Sequence, residues 1–252
     1  MDTSEDTMGF DNIIALIKSQ ASPKAVAGMM KFGINTTNTY GVSIPALRAI
    51  AKKFRKRNHD IAQELWSSGI HEARLLASMI DDPNLVTEKQ MEKWVNDFNS
   101  WDICDQCCSN LFDKTKYAYK KAIQWSTRNE EYVKRAGFVL MAVLAVHDKK
   151  AENKIFLEFL DVIKEHCTDE RNFVKKAVNW ALRQIGKRSQ DLNKQAIKTS
   201  RDIQKIHSAS AKWIASDAIR ELTRTSIQRR LQSRGMKEYI YPLRVGEDAP
   251  SY

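Results

Sequence analysis

Glu131-Tyr132-Val133-Lys134-Arg135-Ala136 returns 41 residues later as Asn172-Phe173-Val174-Lys175-Lys176-Ala177. In both runs an aromatic, a valine, two basic residues and an alanine stand in one order, so a helix built from either buries one stripe and exposes a basic one. Self-similarity at a period near forty is the signature of antiparallel helix pairs stacked in an array, each pair covering the apolar face of the next. The repeat therefore predicts an all-α chain: a right-handed superhelical solenoid of HEAT-like antiparallel helical repeats with a concave face. On such a face side chains distant in sequence converge, and Trp101, Arg135 and Trp180 are the candidates.

Outward from this run, apolar residues recur at spacings of three and four almost everywhere, and the chain holds only nine glycines and five prolines. That pattern predicts thirteen helices between residues 9 and 234, among them 44–57, 114–127 and 208–234, in a single repeat domain. Residues 1–8 are expected to be a flexible N-terminus and 235–252 a C-terminal tail. Pro45 suits the first turn of a helix, Thr87 and Ser100 suit N-cap positions, and 33–43, with Gly33 and Gly41 among polar residues, reads as a loop.

The formal charge is +10 and the isoelectric point about 9.4. A polyanion is the expected partner, with nucleic acid ahead of an anionic membrane surface. The charge is concentrated: Arg183 to Arg234 carries thirteen Lys and Arg against four Asp and Glu. Arg220 and Arg224, continued by Arg229, Arg230 and Arg234, form a stripe suited to phosphates, or else a solvated helix face. The sequence lacks an apolar run long enough to span a membrane, and its first residues include Asp2, Glu5 and Asp6 where a signal peptide is basic. An intracellular soluble protein is expected.

Cys104, Cys107 and Cys108 crowd into little more than one helical turn, with Cys167 far away. Reduced thiols packed inside helices fit this better than disulfides. A zinc site from Cys104, Cys107, His166 and Cys167 lacks a second properly spaced pair, so no metal and no cofactor is expected. The five histidines form no motif, and no phosphate loop, HExxH or GxSxG segment is present, which sets aside nucleotide hydrolysis and zinc proteolysis.

Two short segments carry chemistry. In Ser100-Trp101-Asp102-Ile103-Cys104-Asp105, Trp101 and Asp105 are one turn apart and share a helix face, while Asp102 sits at the helix start. An indole beside a carboxylate suits a cation, the aromatic part contributing about 0.5–2 kcal/mol; a core tryptophan with a surface aspartate is the plainer reading. In Asn179-Trp180-Ala181-Leu182-Arg183, Trp180 and Arg183 are three apart, offering either a guanidinium for phosphate or an indole covered by an arginine stem. Arg135 suits the site or an ion pair. Trp66, Trp94, Trp125 and Trp213 are expected to be packing residues.

Trp101-Asp102-x-x-Asp105, Arg135 within Tyr-Val-Lys-Arg-Ala, and Phe173-Val174-x-Lys176-Ala177-x-x-Trp180-x-x-Arg183 stand in an order that resembles the AlkD-type DNA alkylation repair family of glycosylases. Phe32-Gly33 and Ile44-Pro45-x-Leu47-Arg48 fit the family's N-terminal pattern, and the resemblance covers about residues 10–230. It implies a monofunctional enzyme hydrolysing the N-glycosidic bond of N3- or N7-alkylated purines in double-stranded DNA, acting as a monomer without cofactor or lyase step. Asp105 is then the catalytic carboxylate, Trp101 and Trp180 the aromatic walls around the lesion, and Arg135 and Arg183 backbone or site-supporting contacts. Lys31, Lys176, Arg220 and Arg224 complete the expected DNA-binding set. The resemblance also implies a lesion held against an open surface, with no deep base pocket. Met29-Met30-Lys31 and the cysteine-rich run 104–108 depart from the family pattern and bear on substrate range. Two other readings remain: a HEAT-repeat protein that binds damaged or branched DNA without excision, and a helical scaffold whose basic end takes an acidic partner.

Overall fold

The computed structural model describes residues 9–54 and 58–240, with side chains to residue 233. The expected N-terminal extension 1–8 and most of the expected tail lie outside the described residues, as does the 55–57 end of the helix expected over 44–57. The span 9–234 contains two compact units that divide between Lys121 and Ala122.

The first unit holds α1 (Phe10–Ser19), α2 (Pro23–Lys31), α3 (Ile44–Ala51), α4 (His59–Ser67), α5 (His71–Ile80), α6 (Glu88–Asn96) and α7 (Trp101–Asn110), then a 3-10 turn at Phe112–Lys114. Ser22, Ser43, Asn58 and Thr87 cap their helices by accepting from an amide three residues on, which satisfies one donor that a helix start leaves open. α5 is the hub and lies against α1, α3, α4 and α7. Its N-cap position is held by Ile70, which offers no side-chain cap. His71 and Glu72 head it, and both side chains are buried.

Glu72 is spent on the 33–43 loop. Its carboxylate accepts from Thr39 Oγ1 (2.6 Å) and from the amides of Tyr40, Gly41 and Val42. Gly41 has φ +77°, and a Cβ there would meet the Ser22 carbonyl at 2.5 Å, so both backbone sign and space require glycine. Trp66 and Trp94 stack at 3.9 Å in the core. They and Trp125 are fully buried packing residues, as expected, whereas Trp213 is 42% exposed and carries the Lys175 ammonium 5.4 Å from its ring centre.

α8 (Ala118–Ser126) spans the division. The second unit continues with α9 (Glu131–His147), α10 (Asn153–His166), α11 (Asn172–Gly186), α12 (Gln190–Gln204), α13 (Ala209–Leu222) and α14 (Thr225–Ile240). α11 lies between α9 and α13, and α12 lies against α10 and α13. Two layers of alternate helices follow, the pairing that the forty-residue period implies. Side chains tie each inner helix to the next at one repeated offset: Arg135 Nη1 donates to Phe173 O, Asn179 Nδ2 to Asp217 (2.8 Å), and Arg183 Nη1 to Glu221.

α9 does not follow the expected striped pattern. Nearly all of it is buried, including Arg135 at 6% exposure, and Lys134 is closed by Asp169 at 3.0 Å. Neighbouring repeats supply partners for both cations, so the exposed basic stripe survives on α11, at Lys176. Gly137 permits the close approach of α9 to α8: a Cβ would meet the Ser126 amide nitrogen at 2.4 Å and the Ala122 carbonyl at 2.9 Å.

Two expected helices are broken. The one expected over 208–234 ends at Leu222 and restarts at Thr225, because Gln228 Nε2 (2.6 Å) and Asn193 Nδ2 (3.5 Å) take the Leu222 carbonyl. That over 114–127 is preceded by the 3-10 turn, which Thr115 Oγ1 closes on Phe112 O (2.8 Å), and begins only at Ala118. No helix among the described residues is long and apolar enough to cross a membrane.

Two outcomes test this packing. Gly137→Ala has only backbone to displace and is expected to lower unfolding free energy by about 3 kcal/mol, read in denaturant melts. Asp169 is partly desolvated, which opposes its charge, but its bonds to Arg171 and Lys134 outweigh this and hold its carboxyl at about 2. Because the folded value lies below the unfolded one near 3.9, its stabilisation is present above pH 4 and lost as pH falls towards 2. Asp169→Asn is expected to cost about 2 kcal/mol at neutral pH and to flatten that part of the acid unfolding curve; an unchanged acid limb contradicts the assignment.

Candidate nucleic-acid interface

α7 is positioned by its first turn. Ser100 holds the N-cap position in extended conformation, and its carbonyl accepts from Cys104 N at 3.2 Å. Its hydroxyl does not cap the helix as expected; it donates to Asp102 instead. Asp102 also accepts from Ile103 N (3.0 Å) and from the buried His71 Nε2 of α5 (2.8 Å). Burial opposes the charge on Asp102, yet the bonds from His71, Ser100 and Ile103 hold its carboxyl below the usual range. The helix-start role read from the sequence thus holds, with an added link to α5 that pins the rotation of α7.

With that rotation set, the faces of α7 separate. Ile103, Cys104, Cys107 and Cys108 point into the core. All four cysteines are buried and free of disulfides, and burial pushes the Cys107 and Cys108 thiols well up, which makes them packing groups rather than nucleophiles. On the other side Trp101 and Asp105 are both half-exposed, one turn apart. The Trp101 indole is fixed by a 3.0 Å bond from Nε1 to the Phe32 carbonyl. Beside that carbonyl, at the end of α2, stand exposed Met30, Lys31 and Phe32.

In the second unit, Trp180 is half-exposed on α11. Arg183 lies one turn on, but α13 has placed two carboxylates against it: Glu221, hydrogen-bonded, and Asp217 at 3.5 Å. Lys187 shares Glu221 at 2.6 Å, and Arg220 pairs with Asp217. Arg183, expected as a backbone or site-supporting contact, thus stands in an ion-pair network between α11 and α13, with Glu221 held below its usual range: burial opposes the shift, and Lys187 and Arg183 produce it. Arg135 was expected in the same two roles. It is buried on the Phe173 carbonyl, which fits support of the scaffold and not contact with a DNA backbone.

Lys176, Arg220 and Arg224 are exposed, as a phosphate contact requires. The single basic stripe from Arg220 to Arg234 is nevertheless divided by the break between α13 and α14, with Arg229 and Arg230 exposed beyond it and the side chain of Arg234 outside the described residues. His71 and Glu72 were absent from the expected set. Two polar, titratable residue types heading an uncapped apolar helix were the available signal.

The family model described as "DNA alkylation repair enzyme" matches residues 13–222. The protein Lin0241 of Listeria innocua, described as uncharacterized, is 23% identical over 201 residues, 79% of this chain and 88% of its own. Lmo0209 of Listeria monocytogenes, described in the same way, is 22% identical over the same shares. A solved structure described as "a new family of proteins related to the HEAT-like repeat DNA glycosylases with affinity for branched DNA structures" aligns with TM-score 0.72 over 85% of this chain and 95% of that one, at 18% identity. The HEAT-like repeat fold expected from the period at Glu131 and Asn172 is the fold found, and with the family match covering most of its length, the chain belongs to the DNA alkylation repair enzyme family.

Proposed function

We propose that this protein is a DNA repair glycosylase that hydrolyses the N-glycosidic bond of cationic N3- or N7-alkylated purines in duplex DNA. One observation carries the reading: Trp101 and Asp105 stand one turn apart on the outward side of α7, whose rotation is fixed by the buried contact between His71 and Asp102. Alkylation makes the purine a cation and weakens its bond to the sugar, so the departing base needs little protonation. As that bond breaks, positive charge grows on the deoxyribose. A carboxylate held in place stabilises this charge and orients the attacking water, and one group suffices where glycoside hydrolases in general use two.

Asp105 takes that part. Asp102, bound to three donors, is the positioning residue. The Trp101 face favours a cation, and its bond to Phe32 O holds it there. Trp180 is the half-exposed aromatic of the second unit, and the lesion-wall role given to it rests on the family resemblance. Lys31, Lys176, Arg220 and Arg224 are exposed donors for phosphates, so affinity for DNA is expected to fall as salt rises. The partner is alkylated double-stranded DNA and the acting species a monomer.

Binding of damaged or branched DNA without excision is the second reading. It is favoured by the description of the structural relative and by the closure of Arg183 on Asp217 and Glu221.

Release of 7-methylguanine and 3-methyladenine from methylated DNA separates the two. The wild type is expected to release both, and Asp105→Asn to lose about a hundredfold or more in single-turnover rate with affinity for the same DNA retained. Tight binding without release by the wild type favours the second reading; undiminished release by Asp105→Asn removes Asp105 from the chemistry.

A further inference from the structure

A polar cavity of about 220 Å³ lies in the first unit, where the 33–43 loop, the head of α5 and the residues leading into α7 meet. Asn35, Thr37, Asn38, His71, Arg74 and Asn99 line it, and among the described residues no carboxylate does. The loop that supplies the first three of these begins beside Phe32, whose carbonyl holds the Trp101 indole. Cavity and indole therefore flank one helix start, that of α7.

Arg74 supplies the fixed charge. Nε donates to Trp66 O (3.4 Å) and Nη1 to Asp97 O (3.0 Å), and the guanidinium lies 5.4 Å from the centre of the Trp66 ring. Nη2 has no partner among the described residues, so one edge of an oriented, half-buried guanidinium is left to the cavity. Three carboxylates adjoin the lining, and each is committed elsewhere. Asp97 accepts from Trp66 Nε1 (2.9 Å), Asp102 from His71, Ser100 and Ile103, and Glu72 from the 39–42 loop. Arg74 forms an ion pair with none of them.

The rest of the lining is mostly amide and hydroxyl. Asn35 Oδ1 accepts from Thr37 N (2.9 Å), which leaves its Nδ2 as a donor. Asn38 Nδ2 stands 3.8 Å from where a Cβ on Gly69 would be, and Gly69 borders the same cavity. Thr37, Asn38 and Asn99 are exposed, and their side chains hydrogen-bond to nothing among the described residues. Arginine, threonine and asparagine are the donors that proteins turn to phosphate oxygens. The guanidinium disfavours a cation here, and the amides disfavour an apolar ligand.

We propose that this cavity is a phosphate seat: it takes one phosphodiester group of the DNA backbone and so sets how the strand lies against Trp101 and Asp105 in the same unit. The proposal rests on DNA being the partner and is independent of whether a base is excised. Arg74 carries the charge, and Asn38 and Asn99 are the exposed donors around it.

The test is DNA binding by the full chain as a function of salt. The slope of log K against log salt falls by about 0.9 for each phosphate left without its cation, so Arg74→Gln is expected to lower it by about 0.9. Arg74 also braces two carbonyls, so a second variant tests the seat without disturbing them. Asn38→Asp/Asn99→Asp sets two carboxylates against the phosphate and is expected to weaken binding about tenfold or more, with an unchanged melting temperature. The control Lys89→Gln/Lys93→Gln changes the charge equally on exposed positions of α6 outside the lining, and is expected to keep the wild-type slope and an affinity within about threefold. A folded Arg74→Gln with the wild-type slope, an Asn38→Asp/Asn99→Asp variant with wild-type affinity, an equal loss in the control, or a wild type that fails to bind DNA overturns the proposal. Should Arg74→Gln fail to fold, the aspartate variant decides alone. Inorganic phosphate is the free-ligand probe: if it raises the melting temperature of the wild type and not of the aspartate variant while both bind DNA alike, the seat serves free phosphate and the DNA assignment fails. A wild type that shows these binding differences and releases no base keeps the seat and loses the glycosylase reading; base release with variants that bind alike does the reverse.

Discussion

The Arg135 guanidinium, buried on the carbonyl of Phe173, is the interaction on which the second unit depends. A buried arginine is costly unless its donors are met, and the nearest partner in register is the backbone of the next inner helix. The same logic recurs one repeat later, where Asn179 and Arg183 reach Asp217 and Glu221. Each tether sets the rotation of a helix as well as its position, because a shift of one residue turns it by about a hundred degrees and leaves a buried charge without partners. Trp180 is outward for this reason: Arg183, one turn on, is held by α13.

The first unit reaches a comparable result by another route. There the buried His71 of α5 holds Asp102, and Glu72 beside it gathers the 39–42 backbone. The consequence for chemistry is a division between two carboxylates three residues apart. Asp102 is bound by its own helix start and by α5, and is thereby committed to structure; Asp105 shares the outward side with Trp101. A cationic lesion has reason to prefer that side, where an indole and a carboxylate stand together and the opposite face of the helix is a row of inert thiols.

Repeat architecture was readable in the sequence because it is periodic: the run at Glu131 and its echo at Asn172 place α9 and α11, and spacing alone puts Trp101 with Asp105. What could not be read is pairing across repeats. Arg135 and Arg183 look alike as basic residues on helices, and only the neighbouring helix decides that one ends on a carbonyl and the other between two acids. The break after Leu222 has the same origin, since Thr223 and Arg224 carry no strong stop signal and it is Gln228 and Asn193 that take the terminal carbonyl. Trp213 was expected to be a packing residue like the others, but its ring is left exposed on α13 with the Lys175 ammonium of α11 near its face.

Asp105 as the stabiliser of a sugar cation is the central claim, and it is tested most directly without any chemistry. Affinity is measured for a duplex carrying a cationic azasugar at an abasic position and for one carrying the neutral tetrahydrofuran analogue. If Asp105 faces the developing charge, the wild type prefers the cationic duplex by about tenfold or more and Asp105→Asn loses that preference. Equal discrimination by the wild type and Asp105→Asn contradicts the account.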